Sequence, residues 1–186
     1  MKRSFDTLLS IFLMVLLALP LILISLSISL TSKGPYLYWS KRIGQGNKTF
    51  LMPKFRTMTQ EAPEVASHLL ENPASFYTPL GQFLRKYSID ELPQLYSVFV
   101  GDMSFVGPRP ALYNQEDLIN LRIKSGVHDL KPGITGLAQV SGRDALSIEN
   151  KVDIDRKYLE RQSFLFDLYI IWLTAVKVLK RVDIAH

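Results

Sequence analysis

Polar and apolar positions follow two different rhythms along this chain. From Leu8 to Leu30 no side chain is charged, and Ser10, Ser25, Ser27 and Ser29 are the polar interruptions in a run long enough for a lipid-buried helix. Beyond it, Tyr36 to Ile43 and Lys48 to Met58 predict two strands joined through Gly44-Gln45-Gly46-Asn47. Glu61 to Asn72 predicts a short helix. Thr78-Pro79 predicts a helix start, with cap and N1 proline, leading through Leu80, Phe83 and Leu84 to Arg85. Val98 to Val106 is hydrophobic but broken at Gly101-Asp102, and Lys131-Pro132-Gly133 marks a turn. Ser147 predicts the cap of a polar helix reaching about Arg161, with Asp153 and Lys157 spaced i,i+4. Phe164 to Leu179 is apolar on nearly every face, which requires burial all round or lipid on one side.

Pro20 lies near the middle of the long apolar run, where it removes the helical bond to the Leu16 carbonyl. The arms on either side, Leu8 to Leu19 and Leu21 to Leu30, would each rise roughly 15 to 18 Å, about half of a ~30 Å hydrocarbon core. Each arm is therefore long enough to enter the bilayer halfway and return. Cations flank both ends, Lys2 and Arg3 before and Lys33, Lys41 and Arg42 after, which favours a re-entrant hairpin over a kinked single-pass anchor. The aromatics Tyr36, Tyr38 and Trp39 fit a membrane interface, and strand packing explains them nearly as well. The expectation is an α+β chain: a re-entrant membrane helix hairpin over 1–32, then a catalytic domain over 33–186 with a small β-hairpin or sheet and several short helices, the last of them interfacial.

With 186 residues and 47% hydrophobic content, the chain accommodates one compact domain and an appended segment. The absence of cysteine excludes disulfides and thiolate metal sites, and His68, His128 and His186 are scattered, so a histidine zinc site is not expected. A net charge of +5 favours an acidic partner, whether anionic lipid, phosphorylated substrate or nucleic acid. Aromatics interleaved with basic residues, which base recognition would need, form no stripe, so no nucleic acid is expected. Gly44-Gln45-Gly46 lacks the third glycine and the strand-to-helix setting of a dinucleotide loop.

The densest chemistry is Arg85-Lys86-Tyr87-Ser88-Ile89-Asp90-Glu91-Leu92-Pro93, followed by Gly107-Pro108-Arg109-Pro110. An acid pair at a helix start, between two arginines, can hold a phosphate, a metal ion and a carboxylate nucleophile close together. The helix terminus should keep Asp90 ionised. Ser88-x-x-Glu91 also matches a capping box, in which Glu91 would only satisfy backbone amides, although Pro93 argues for a later first turn. Two prolines stiffen Arg109 for phosphate binding, and a plain surface turn is the competing explanation. Lys54 and Arg56 should share one sheet face, whether or not a ligand is there.

With these residues in view, the chain resembles the bacterial sugar transferases known as monotopic phosphoglycosyl transferases. The resemblance rests on the proline-centred apolar segment, Arg42-Ile43-Gly44, Lys54-Phe55-Arg56-Thr57-Met58, Asp90-Glu91-Leu92-Pro93-Gln94-Leu95, Gly101-Asp102-Met103-Ser104, Val106-Gly107-Pro108-Arg109-Pro110, and Lys131 to Val140. It implies transfer of a sugar 1-phosphate from a UDP-sugar to a polyprenyl phosphate such as undecaprenyl phosphate, releasing UMP and starting glycoconjugate assembly. It also implies a bacterial inner membrane location with the catalytic domain on the cytoplasmic face. By the same resemblance Asp90 is the nucleophile that forms a covalent phosphosugar, Glu91 is the adjacent catalytic acid, and Asp90 and Glu91 hold Mg²⁺. Arg85, Arg109, Lys54, Arg56, Pro108, Pro110 and Gln139 match the substrate-binding surroundings, and Pro20 the hairpin break. Many family members carry serine before that proline; here it is Leu19. Two alternatives remain: direct attack by the lipid phosphate in a ternary complex, and a membrane-tethered protein that binds anionic lipid or nucleic acid without catalysis.

Overall fold

A computed structural model describes residues 1–63, 72–142 and 146–180. The expected helix over Glu61 to Asn72 falls largely outside these residues, as do His68 and His186. Helices α1 (Lys2–Leu16) and α2 (Ala18–Thr31) are joined at Leu17 with a bend of 62°, so the break precedes Pro20 by three residues. The displacement has a simple cause: Pro20 occupies the first turn of α2, where its missing N–H leaves no helical bond unmade. No single described helix is long and apolar enough to cross a membrane, although the bent pair together meets that length and composition. Ser25, Ser27 and Ser29 donate to the carbonyls of Leu21, Leu23 and Ser25, which satisfies their hydroxyls in an apolar setting.

Both ends of this helix pair are fastened to the same body. At the start of α1, the Lys2 ammonium lies 2.6 Å from Asp167 and donates to the Val106 carbonyl. Arg3 donates to the carbonyls of Val98 and Phe99. It thereby caps α4 (Leu95–Val100), whose chain turns away through Gly101 at φ 101°. Asp6 is buried and accepts from the Phe105 amide. At the far end, Arg56 donates to the carbonyl and hydroxyl of Ser32. Lys2 and Arg3, which the sequence offers as cations flanking the apolar run, are structural ties.

The hairpin forms as expected, between β1 (Leu37–Ile43) and β2 (Thr49–Phe55). The short β4 (Ala111–Leu112) pairs with the other edge of β1, giving the antiparallel order β2-β1-β4. Pro53 is tolerated because β2 is the edge strand of this sheet, with no ladder partner on its outer side among the described residues. A separate parallel pair joins β3 (Ser104–Val106) to β5 (Gly133–Thr135). It requires glycine: a Cβ on Gly107 would lie 2.2 Å from the Lys131 carbonyl oxygen, and one on Gly133 would lie 2.1 Å from the Gly107 amide nitrogen.

Around this frame pack α3 (Gly81–Lys86), α5 (Glu116–Lys124), α6 (Leu137–Ser141), α7 (Ile148–Arg161) and α8 (Phe164–Lys180). Ser147 caps α7 by accepting from the Asn150 amide, as expected, but the i,i+4 ion pair among the described residues of that helix is Arg156 with Glu160 and not the expected Asp153 with Lys157. Helix α3 starts later than expected, because Thr78 turns back to hydrogen-bond the Thr57 carbonyl instead of capping it. The main core gathers Val98, Met103, Val106, Val127, Tyr158 and Ile170, joining α1, α4, β3, α7 and α8. Ile28 of α2 packs on Phe55 and Leu84. Helix α8 buries Asp167 and Ile170 but exposes Leu165, Tyr169 and Trp172, so it is two-faced and not uniformly buried.

Candidate active site

Between α3 and α4 the chain forms a 3-10 helix, Ile89–Gln94, that carries Asp90 and Glu91 and packs across β2. Its entry is strained. Ser88 adopts the left-handed conformation at φ 54°, a departure that costs of order 1 kcal/mol for a non-glycine residue and turns the chain sharply. Ser88 forms no side-chain cap, so the capping box does not exist and the Glu91 carboxylate is free for another role.

That role is to gather cations. Lys54 Nζ and Arg109 Nη2 each lie 2.8 Å from Glu91 Oε1. Burial pushes the Glu91 carboxyl up, but the attraction of Arg109 and Lys54 outweighs it and holds the group well below the usual carboxylate range. Burial also lowers Lys54, against the pull of Glu91.

Asp90 is different. Its residue is 8% exposed, and among the described residues no hydrogen bond or salt bridge holds its carboxylate. Burial raises its pKa against the attraction of Lys54, and the neighbouring Glu91 charge adds to the rise. This direction opposes the expectation from the helix terminus: a short 3-10 helix offers little dipole, and desolvation wins. Two adjacent carboxyls are thus pushed apart, one firmly ionised and engaged, the other raised and unheld.

Arg85 acts on Asp90 electrostatically while its guanidinium lies 5.6 Å from the Tyr77 ring centroid. The Gly-Pro-Arg-Pro loop is rigid for reasons beyond its prolines. Arg42 donates to the Pro110 carbonyl, Arg122 to the Arg109 carbonyl, and the Gly133 amide to the Pro108 carbonyl. Arg122 is held in turn by Asp155 at 2.8 Å. Arg42 is pushed down to about 10 by burial and by its neighbour Arg109, so it belongs to the same electrostatic cluster. The prolines act through their backbone carbonyls as scaffold.

Two expected residues stand elsewhere. Arg56 lies just past the end of β2 and is buried against Ser32, so strand alternation does not carry it to the Lys54 cluster. Gln139 is buried on α6, where its amide donates to the Ile134 carbonyl. Arg42, Arg122 and Asp155 are the residues that reasoning from sequence did not select. Arg42 stood within a quoted motif, but Arg122 and Asp155 are 33 positions apart with no local signal.

A deep-set acid pair ringed by Arg42, Lys54, Arg85 and Arg109 suits a phosphorylated substrate. The sequence profile of the bacterial sugar transferases matches residues 1–181. This chain belongs to that family. It is 40% identical to the uncharacterized sugar transferase EpsL of Bacillus subtilis, across 96% of this chain and 87% of that protein. It is 35% identical to the exopolysaccharide production protein ExoY of Sinorhizobium fredii, across 93% and 83%. A third relative, the UDP-glucose:undecaprenyl-phosphate glucose-1-phosphate transferase of Escherichia coli, is 36% identical; 95% of this chain is matched but only 40% of that longer protein. As a bacterial sugar transferase, the protein is an enzyme whose family chemistry is sugar-phosphate transfer.

Proposed function

We propose that this sugar transferase moves a sugar 1-phosphate from a UDP-sugar to undecaprenyl phosphate or a similar polyprenyl phosphate, with Asp90 as covalent nucleophile. The observation that carries the reading is the contrast within the acid pair: Glu91 pinned by Lys54 and Arg109, beside an Asp90 carboxylate that has no hydrogen-bond or ion-pair partner among the described residues. A nucleophile must keep its oxygen available, and Asp90 does. In the first step an Asp90 oxygen bonds to the sugar-bearing phosphorus, and the bond from that phosphorus to the bridging oxygen breaks. UMP departs with the bridging oxygen and its electron pair. In the second step an oxygen of the lipid phosphate bonds to the same phosphorus and the Asp90 carboxylate leaves. Neither step requires a net proton. Arg109 and Lys54 offset the charge that accumulates on the departing UMP.

The acid pair fits a magnesium ion. Both cations engage Glu91 through Oε1, which leaves Oε2 and the Asp90 carboxylate as oxygen donors. Among the described residues there is no cluster of three acids or histidines, so substrate phosphate oxygens and water would complete the coordination, as Mg²⁺ often requires. Bound there, the ion would supply further charge neutralisation.

The membrane arrangement we infer is re-entrant, with the catalytic body on one face, the cytoplasmic one if the UDP-sugar is drawn from the cytoplasm. Its support is that Lys2 and Ser32, at opposite ends of the helix pair, both bond to the same body. A spanning segment would separate its ends by ~30 Å across the hydrocarbon. Leu8, Phe12, Val15, Leu19, Leu23 and Leu26 form an exposed apolar surface suited to lipid. The stacked series Phe166, Tyr169 and Trp172 on α8 suits the interface. The test is UMP release by the full chain across a panel of UDP-sugars with a polyprenyl phosphate acceptor. Release that requires both substrates in turnover, and vanishes in Asp90→Asn, is expected; full activity in Asp90→Asn refutes the assignment.

A further inference from the structure

An apolar cavity of about 260 Å³ opens where the bend of α1 and α2 meets the catalytic segment, and the mechanism above leaves it unused. Its walls include Met14 of α1, Leu21 of α2, Trp39 of β1, Leu92 and Pro93 of the 3-10 helix, and Tyr96 of α4. The lining residues are leucine, methionine, proline and two aromatics, and the indole N–H of Trp39 and the hydroxyl of Tyr96 are the only side-chain hydrogen-bonding groups among them, too few for the many hydroxyls of a sugar or the polar edge of a nucleotide. Trp39 and Tyr96, half exposed, meet edge to face at the side of the cavity with ring centroids 6.3 Å apart.

We infer that this cavity binds the isoprenyl units next to the phosphate of the polyprenyl acceptor. The inference rests on the transferase reading above. Three observations select this occupant. First, Leu92 and Pro93 directly follow Asp90 and Glu91, so one wall lies within two or three residues of the nucleophile, roughly 4 to 6 Å along a 3-10 axis. A tail held there leaves its phosphate beside the acid pair. Second, Met14 and Leu21 connect the cavity to the exposed apolar surface of the helix pair, from which a lipid tail arrives. Third, the size is appropriate. Benzene, with six carbons, occupies an engineered cavity of about 150 Å³, so the present one admits on the order of ten carbons, or two isoprenyl units.

Met14 and Leu21, seven residues apart and so on one helix face, lie on either side of the bend at Leu17, and both line the cavity. The site would select the acceptor by an apolar segment adjoining a phosphate, while the sugar donor binds on the cationic side.

The decisive experiment uses the full chain in phospholipid nanodiscs without donor. Its probe is a polyprenyl phosphate bearing a diazirine on the isoprenyl unit next to the phosphate. Photolysis is expected to label peptides containing Met14 to Leu21 and Leu92 to Tyr96, and excess unlabelled polyprenyl phosphate should suppress this whereas excess phosphatidylglycerol should not. Labelling confined to the outward-facing Leu8, Phe12 or Leu26, or equal suppression by phosphatidylglycerol, overturns the inference. As a second arm, Met14→Trp fills the cavity and should raise KM for polyprenyl phosphate at least tenfold with KM for the UDP-sugar unchanged; an unaltered acceptor KM in the folded variant also overturns it. The cross-link is read without catalysis, so failure to release UMP from any UDP-sugar would defeat the transferase reading separately.

Discussion

Glu91→Gln removes the charge at the centre of the cationic cluster with little change in shape. In the native chain one carboxylate oxygen serves Lys54 and Arg109, both at 2.8 Å, and the Glu91 side chain is only 15% exposed. Stripping one partner from a buried ion pair destabilises by ~3–5 kcal/mol. Arg109 is about half exposed and regains solvation, and glutamine keeps an acceptor oxygen, so about 3 kcal/mol is the better expectation. At ~2–4 °C per kcal/mol for a chain of this size, Tm in detergent should fall by about 6–12 °C at pH 7. The pH dependence follows from the depressed Glu91 pKa. The stabilisation is fully present above the unfolded value of about 4.3 and is lost as pH falls through the lower folded value. The gap between wild type and variant should therefore close in acid. An undiminished Tm at pH 7, or a gap that ignores pH, would refute the cation-holding role.

Other consequences are equally direct. Asp90→Asn should abolish turnover yet raise Tm at pH 7, because burial makes ionised Asp90 costly above its ordinary value; the gain should disappear in acid, where Asp90 is protonated in both states. In the wild type, the acidic limb of kcat against pH should lie above the ordinary aspartate value of about 3.9, as measured by UMP release. Arg122→Met strands the buried Asp155 carboxylate and frees the Arg109 carbonyl, so it should cost ~3–5 kcal/mol in denaturant unfolding. Added to Arg122→Met, Asp155→Asn removes the stranded charge and should recover part of that stability. Ser88→Gly should stabilise by up to about 1 kcal/mol by relieving the left-handed turn, whereas Ser88→Val should destabilise.

The parts of this molecule written in local pattern were legible: the β1–β2 hairpin with its glycine turn, the Ser147 cap and the apolar N-terminal run all follow from spacing and turn chemistry. Pro20 identified a bend but not its location, because proline is accommodated in a helix's first turn and the break moves three residues back, to Leu17. Lys2 and Arg3 were legible as flanking cations but not as structural ties, because their partners, Asp167 and the end of α4, are distant in sequence. The same separation concealed the Arg122–Asp155 clamp and the β3–β5 pair. For Arg56, alternation was sound only to Phe55, where β2 ends. Asp90 and Glu91 stood out from composition and position, but their opposite pKa shifts arise from burial and from cations on other elements.

The account depends most on Asp90 bonding to phosphorus. Incubating the enzyme with its UDP-sugar alone, quenching in acid and measuring intact mass tests this directly. The expected result is a mass increase of one sugar phosphate, mapped to the Asp90 peptide, discharged by polyprenyl phosphate and missing in Asp90→Asn. An enzyme that turns over both substrates rapidly yet never carries that adduct would contradict the covalent route and favour direct attack by the lipid phosphate.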